Sequence, residues 1–363
     1  MVPVTFPAAS PLDGLNCPPF GSGTGRRFSS QVVGYSDSGF PYQAFTYGCS
    51  TFSTYGSVGA LRIPYSLPPF FASLPSNPRA GIVGLQIPND AGLLLVTEQE
   101  EYGWAVVENV LPAIRDFAHR RPLDVAIDGD SLTVEQIPSG ASAVHAYMND
   151  LSIIAQAIAR STSLQRFTQP KPVGMSFYRR PGWAYVPKDD RLLATAPVTW
   201  DGNRHQALDV VVTAPDWGIQ TLGFNHRYVV STYDDNGTHY YDRDEAVIQT
   251  SLPFSFGRVA LDWRGFAQPL IFHMPAFDNA HTVYADDRPF ATEVFRPLLP
   301  FLVEMSPPPF AIQDQFLWMR PKVKPTEEIV AWCQAFVCEF FSRVPDKVWQ
   351  HLGLAENPVR ELR

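Results

Sequence analysis

Residues 93–117 read LLLVTEQEEYGWAVVENVLPAIRDF and residues 281–305 read HTVYADDRPFATEVFRPLLPFLVEM, at a constant offset of 188 positions. Three pairs are identical: Val106/Val294, Leu111/Leu299 and Pro112/Pro300. Elsewhere the apolar and polar classes match: Leu95 with Val283, Glu98 with Asp286, Tyr102 with Phe290, Ile114 with Leu302, Asp116 with Glu304. Each stretch opens on an extended apolar segment, residues 92–97 or 282–285. It then meets acids that suit the positive first turn of a helix, Glu98, Glu100 and Glu101 or Asp286 and Asp287. Val106, Val107, Val110, Ile114 and Phe117 recur at helical spacing, as do Val294, Phe295, Leu298, Leu302 and Met305. Pro112 and Pro300 fall inside these stripes and predict a kink or a break, because proline removes an N–H and clashes with the preceding turn.

The match extends both ways. VAIDGDSLTV at 125–134 lies on FAIQDQFLWM at 310–319 once the second copy is shortened by three residues, pairing Ala126/Ala311, Ile127/Ile312 and Leu132/Leu317. Upstream, Ser66-Leu67-Pro68 is aligned with Ser251-Leu252-Pro253, and Gly81, Val83 and Leu85 with Gly257, Val259 and Leu261. Apolar runs that match by chance have no reason to recur in the same order, so the pattern predicts an internal duplication. Residues 123–137 and 310–320 read as hairpins turning at Asp128-Gly129-Asp130 and Gln313-Asp314-Gln315. Ser139 and Thr326 are candidate caps of a second helix ending near Arg160 or Val344.

The earlier part of each copy is strand-rich. FSSQVVGYSDS and FPYQAFTYG flank a turn near Ser38-Gly39, and APVTW and HQALDVVVT flank Asp201-Gly202-Asn203. RYVVSTY and THYYDRDEAV flank Asn236-Gly237, the strongest two-residue turn pair in the chain. Helices following runs of antiparallel strands give an α+β class: two tandem pseudo-repeats, each an antiparallel sheet with helices on one side. The expected map is a flexible N-terminal segment at 1–25, repeat 1 at 26–163, a Pro-containing connector at 164–195, repeat 2 at 196–353 and a tail at 354–363.

VYADDRPFATEVFRPLLPFL, FAIQDQFLWMRP and VPDKVWQHLG, the last with Pro345, Val348 and Trp349, together resemble a bacterial, largely actinobacterial, domain family of uncharacterised function. The resemblance covers roughly residues 275–353, and many family members are membrane-attached. It implies a fold, and it brings no chemistry.

Composition narrows the function classes. The 363 residues carry 28 Lys+Arg against 36 Asp+Glu, a balance that argues against a nucleic-acid partner. An apolar fraction of 45% suffices for a packed core, and 34 prolines spread along the chain predict short elements with stiff connections. No apolar run is long enough for a membrane span. Residues 1–25 lack the basic start and apolar stretch of a signal peptide, and four cysteines fit a reducing compartment, so a soluble cytoplasmic protein is expected.

The sequence offers no catalytic constellation. Gly174-Met175-Ser176-Phe177-Tyr178 lacks the second glycine of a nucleophile elbow. Gly21-Ser22-Gly23-Thr24-Gly25 follows no strand and precedes no lysine, unlike a phosphate cradle. The eight histidines show no metal-ligand spacing, and Cys333 and Cys338 read as core. No metal, no cofactor and no enzymatic activity are expected. The expected function is a non-catalytic interaction or assembly protein with a protein partner. A binder of an apolar small molecule, or an enzyme whose site is dispersed in sequence, is the alternative. Ser131, Thr133 and Glu135 predict a wet face on the first copy, whereas Phe316 and Trp318, followed by Arg320, predict a face covered by a partner or by the chain itself.

Overall fold

A computed structural model describes residues 10–50, 56–78, 81–195, 202–234, 237–263 and 269–359. The chain divides into two units at Pro181/Gly182, inside the expected connector. The expected strand APVTW and the turn residues Asp201 and Asn236 lie outside the described residues.

In the first unit, β1 (Arg27–Tyr35), β2 (Pro41–Gly48) and β3 (Gly56–Ser73) form an antiparallel meander. The first turn is the expected one, with Gly39 at φ +83° and Ser36 N–H bonded to Phe40 O. β4 (Leu85–Gln86) pairs with β5 (Leu94–Thr97), and β5 pairs with β3. The chain then forms α1 (Glu100–Asn109) and α2 (Leu111–Arg120). The stripe breaks at Pro112, which occupies the first turn of α2, where no N–H is needed. β6 (Asp124–Glu135) returns along β3, followed by α3 (Ala141–Arg160) and α4 (Thr162–Gln165). Helices α1 to α3 bury Val106, Ile114, Phe117, Met148, Leu151 and Ile158 against the inner sheet face of Leu61, Phe70, Ile127 and Leu132. Gly59 lies directly under Met148 of α3, where a Cβ would come within 2.7 Å of the sulfur. β7 (Met175–Phe177) ends the unit.

The second unit follows the same order from β9 onward, with β8 and α5 added. β8 (Arg180–Lys188) pairs with β9 (Asn203–Val212), β9 with β10 (Gln220–Asp234) and β10 with β11 (Gly237–Leu261). After β12 (Pro269–Leu270) and α5 (Pro275–Asp278), β13 (Val283–Ala285) pairs with β11 as β5 does with β3. α6 (Arg288–Phe295), a 3-10 turn and α7 (Leu299–Met305) follow, with Pro300 in the first turn of α7 as Pro112 is in that of α2. β14 (Phe310–Met319) runs along β11, and α8 (Glu327–Arg343) and α9 (Asp346–His351) complete the unit. Asp287 caps α6 through Phe290 N–H and Thr326 caps α8 through Ile329 N–H. The predicted cap Ser139 is displaced by Gly140, which makes no side-chain cap bond.

Register shows the correspondence. Leu61, Phe70 and Phe71 of β3 face Leu132, Ile127 and Ala126; Thr250, Val259 and Ala260 of β11 face Leu317, Ile312 and Ala311. The long strands therefore correspond at an offset of 189 residues. This corrects the upstream alignment: Ser251 corresponds to Arg62 and Val259 to Phe70, whereas the sequence match had set them against Ser66 and Val83. Pro64 and Pro253 become the matching prolines.

Both expected hairpins are single strands. The register with β3 shifts opposite Gly129 of β6, at φ +60°, and the register with β11 shifts opposite Asp314 of β14, at φ +54°; the extra bulged residues lie on β3 between Arg62 and Phe70 and on β11 between Ser251 and Val259. Turn and bulge demand the same left-handed residue, which is why Asp128-Gly129-Asp130 reads as a turn.

The first unit is covered on its outer face too. Leu12, Leu15 and Phe20 pack on Phe45, Tyr47 and Val58, and Cys17 packs on Phe71 and Ala126. Residues 10–25, expected as flexible, are thus part of the core, and Ser131 and Thr133, expected to meet water, are buried. The expected tail also folds back, with Asn357 Nδ2 donating to Phe341 O and Val359 buried.

Candidate functional site

Phe316, Trp318 and Arg320 lie together on the outer face of β14. Trp318 is 1% exposed and packs with Ala207, Val210, Phe224, Val247 and Trp263, while Phe316 is half-buried at the same cluster. Leu192 and Leu193, from a 3-10 turn at Asp190–Thr195, also pack there. Arg320 stacks its guanidinium 4.2 Å from the Trp263 ring centre and lies 3.2 Å from Glu245. This corrects the candidate partner site at Trp318, whose indole is covered by its own unit, the intramolecular one of the two expected covers, while Phe316 is half-buried beside it. Nearby, the rings of His205, His226 and Tyr228 stack, and His226 holds the Glu245 carboxyl below the usual carboxylate range, helped by Arg320.

A different place in the second unit is concave. The end of β11, the start of β13, the α7–β14 connection and the N-terminal turns of α8 enclose an open cavity of about 590 Å³. Pro307, Pro309, Pro321, Val323, Ile329 and Trp332 form most of its wall. Ser306 ends α7 in a left-handed conformation, φ +43°, and turns the chain into the proline run. Arg320 N–H donates to Pro309 O and ties the two proline edges together. Trp332 stacks on Phe336 of its own helix at 5.6 Å, which holds its indole on the cavity wall.

The polar part of the lining is built around Asp262. Its Oδ1 accepts Thr282 N–H at 2.7 Å and its Oδ2 lies 2.7 Å from His281 Nδ1. Its own N–H donates to Thr282 O at 2.8 Å. His281 is 8% exposed, its N–H bonds to Phe277 O, and its ring packs on Phe277 at 5.4 Å. α5 is itself fixed by Asp278, which accepts the N–H groups of Phe272 and Met274. His281 therefore spends Nδ1 on a carboxylate held from two sides, and Nε2 is the ring atom left for a ligand. Lys322 brings a cation to the same lining. Cys333 also lines the cavity, but burial pushes its thiol up to about 12, so it stays protonated at neutral pH. Among the described residues no group of three or more His, Cys, Asp or Glu converges as a metal site.

Sequence reading missed Asp262 and His281 because they stand 19 positions apart in the chain and no motif marks either. One signal was present: His281 opens the second repeat opposite Leu93, and Asp262 corresponds to Ser73. The first unit has no such pair, so the shared fold does not require it.

No protein family, curated protein or solved structure matches the chain. No helix among the described residues is long and apolar enough to cross a membrane.

Proposed function

We propose that this protein binds an apolar small molecule in the cavity of its second unit. The observation that carries the reading is the combination of a mostly apolar wall of prolines, Ile329 and Trp332 with one buried, oriented imidazole at His281. A cavity of this size falls within the range of small-molecule sites, which pair apolar walls with a few fixed polar groups. A thermal-shift screen of apolar acids, alcohols and esters tests it. A ligand that raises Tm and quenches tryptophan fluorescence is expected, with both effects lost in Trp332→Ala. If no ligand class shifts the wild type, the reading fails.

A second reading, a protein-binding surface, is favoured by the distal hairpin of β10 and β11. Tyr233, Tyr240 and Tyr241 there are 84%, 72% and 48% exposed, on an arm that pairs with β9 no further than Val229. Exposed tyrosines supply contact area at low entropic cost. Replacing the three by Ser is expected to weaken partner capture without lowering Tm; unchanged capture would remove the arm from consideration.

A further inference from the structure

We infer that the Asp262–His281 pair is an acid–base centre and that the second unit hydrolyses carboxylic esters whose apolar group sits in the cavity. The inference rests on the binding reading and adds a reaction to it.

The geometry is that of a positioned general base. Asp262 accepts from His281 Nδ1 at 2.7 Å and is itself fixed by Thr282 N–H, so the neutral imidazole carries its lone pair on Nε2. The pair lines a cavity that a ligand can enter. The backbone of Asp262 is left-handed at φ +54°, a conformation that costs free energy for any residue with a Cβ. Here it brings both carboxylate oxygens onto residues 281–282. The equivalent strand of the first unit places Ser73 and Leu93 at these positions and folds the same way.

The charged and titratable groups in the lining come from every element around the ring: Asp262 from the end of β11, Lys322 from the β14–α8 connection and Cys333 from α8. Cys333 is a neutral thiol and a poor nucleophile, and the Ser306 hydroxyl of the same lining makes no hydrogen bond to His281, so the attacking group of the proposed step is water. His281 Nε2 takes a proton from water as the water oxygen bonds to the ester carbon. The tetrahedral adduct then collapses, the bond to the alkoxy oxygen breaks, and the imidazolium returns its proton to the departing alkoxide. An acid and an alcohol leave, and His281 is restored. Lys322, in the same lining, is the cation available to the oxyanion and to the carboxylate product. An ester is favoured over an amide because an alkoxide is a far less basic, and so far better, leaving group than an amide anion. Asp262 acts through His281 and is a positioning residue.

The test uses the whole chain with 4-nitrophenyl octanoate as substrate and 4-nitrophenyl octyl ether as an inert analogue. Saturable release of nitrophenolate, inhibited by the ether at its own Kd, is expected. His281→Ala and His281→Gln are expected to lose about 10²-fold or more in kcat while still binding the ether, the usual contribution of a general base. Added imidazole is expected to restore part of the rate in His281→Ala. Asp262→Asn is expected to lower kcat with KM unchanged. Equal rates in wild type and both His281 variants, with the ether still bound, would overturn the inference and leave the binding reading standing. Failure of the ether to bind would remove both.

Discussion

At the scale of single residues, Asp128 shows how one carboxylate decides the fate of a whole segment. Its Oδ2 accepts Asn16 N–H at 2.5 Å and Cys17 N–H at 2.6 Å, and these bonds fasten the N-terminal segment to β6. Burial raises its pKa above the usual carboxylate value, and the two backbone donors pull it only partly back. The sign follows from linkage. A folded-state pKa above the unfolded one means that the native protein holds the proton more tightly. The stabilisation is therefore complete below the unfolded carboxyl pKa and is lost as pH rises through the folded one. In Asp128→Asn this dependence is expected to vanish, so wild-type stability relative to the variant falls from acid toward neutral pH in urea denaturation. Asp128→Ala leaves two buried donors without an acceptor, at about 1–3 kcal/mol each. Trp318 makes the complementary case. As a core residue its replacement by Ala is expected to cost about 3–5 kcal/mol and to lower Tm sharply. A Tm within a degree or two of wild type would return Trp318 to the surface. The pair Phe316 and Trp318 was legible as an anomaly in the pattern, since aromatics stood where polar residues were due. What covers them was not legible, because Leu192, Leu193 and Trp263 come from remote stretches with no pattern of their own.

At the scale of elements, the bulges opposite Gly129 of β6 and Asp314 of β14 are the informative features. Each strand stays paired with β3 or β11 on either side while the register shifts between them, and each carries one left-handed residue opposite the bulge. Gly129 takes that conformation without steric cost, and a Cβ there would come within 2.6 Å of Pro172. Gly129→Ala is expected to cost about 1–2 kcal/mol from the left-handed backbone alone, with the Pro172 clash added. Asp314 is exposed and pays the same conformational cost in the native protein, so Asp314→Gly is expected to be neutral or to stabilise by up to about 1 kcal/mol. Chemical denaturation of the two variants reads the difference; an Asp314→Gly variant destabilised as much as Gly129→Ala would overturn the expectation. The helix breaks were legible for a direct reason: proline cannot donate, so Pro112 and Pro300 start new helices wherever they stand. The hairpins were misread because a local sequence cannot tell whether a left-handed residue reverses the chain or only bends it. That depends on a neighbouring strand long enough to pair on both sides of the irregularity.

At the scale of the whole molecule, two units share one element order and differ in how the outer sheet face is closed. In the first, residues 10–25 lie across it; in the second, Leu192, Leu193 and Trp263 do. Leu12, Leu15 and Phe20 are each buried, and each contributes about 1.5–3 kcal/mol by leaving water. Deleting residues 1–25 is therefore expected to lower Tm strongly and to raise binding of a hydrophobic dye, as Phe45, Tyr47 and Phe71 are uncovered. A deletion with unchanged Tm would show that the segment is dispensable. The units differ also in that only the second carries the Asp262–His281 pair. By itself the sequence determined the α+β class, the apolar stripes of the helices and their breaks at Pro112 and Pro300, because each of these follows from periodicity and punctuation over ten to twenty neighbouring residues. Only the tertiary structure decided which faces are closed and by what, that two apparent hairpins are single strands, and that a carboxylate at the end of one strand meets an imidazole at the start of another. Those outcomes depend on contacts between segments far apart in the chain, and such contacts leave no period in the sequence to be read.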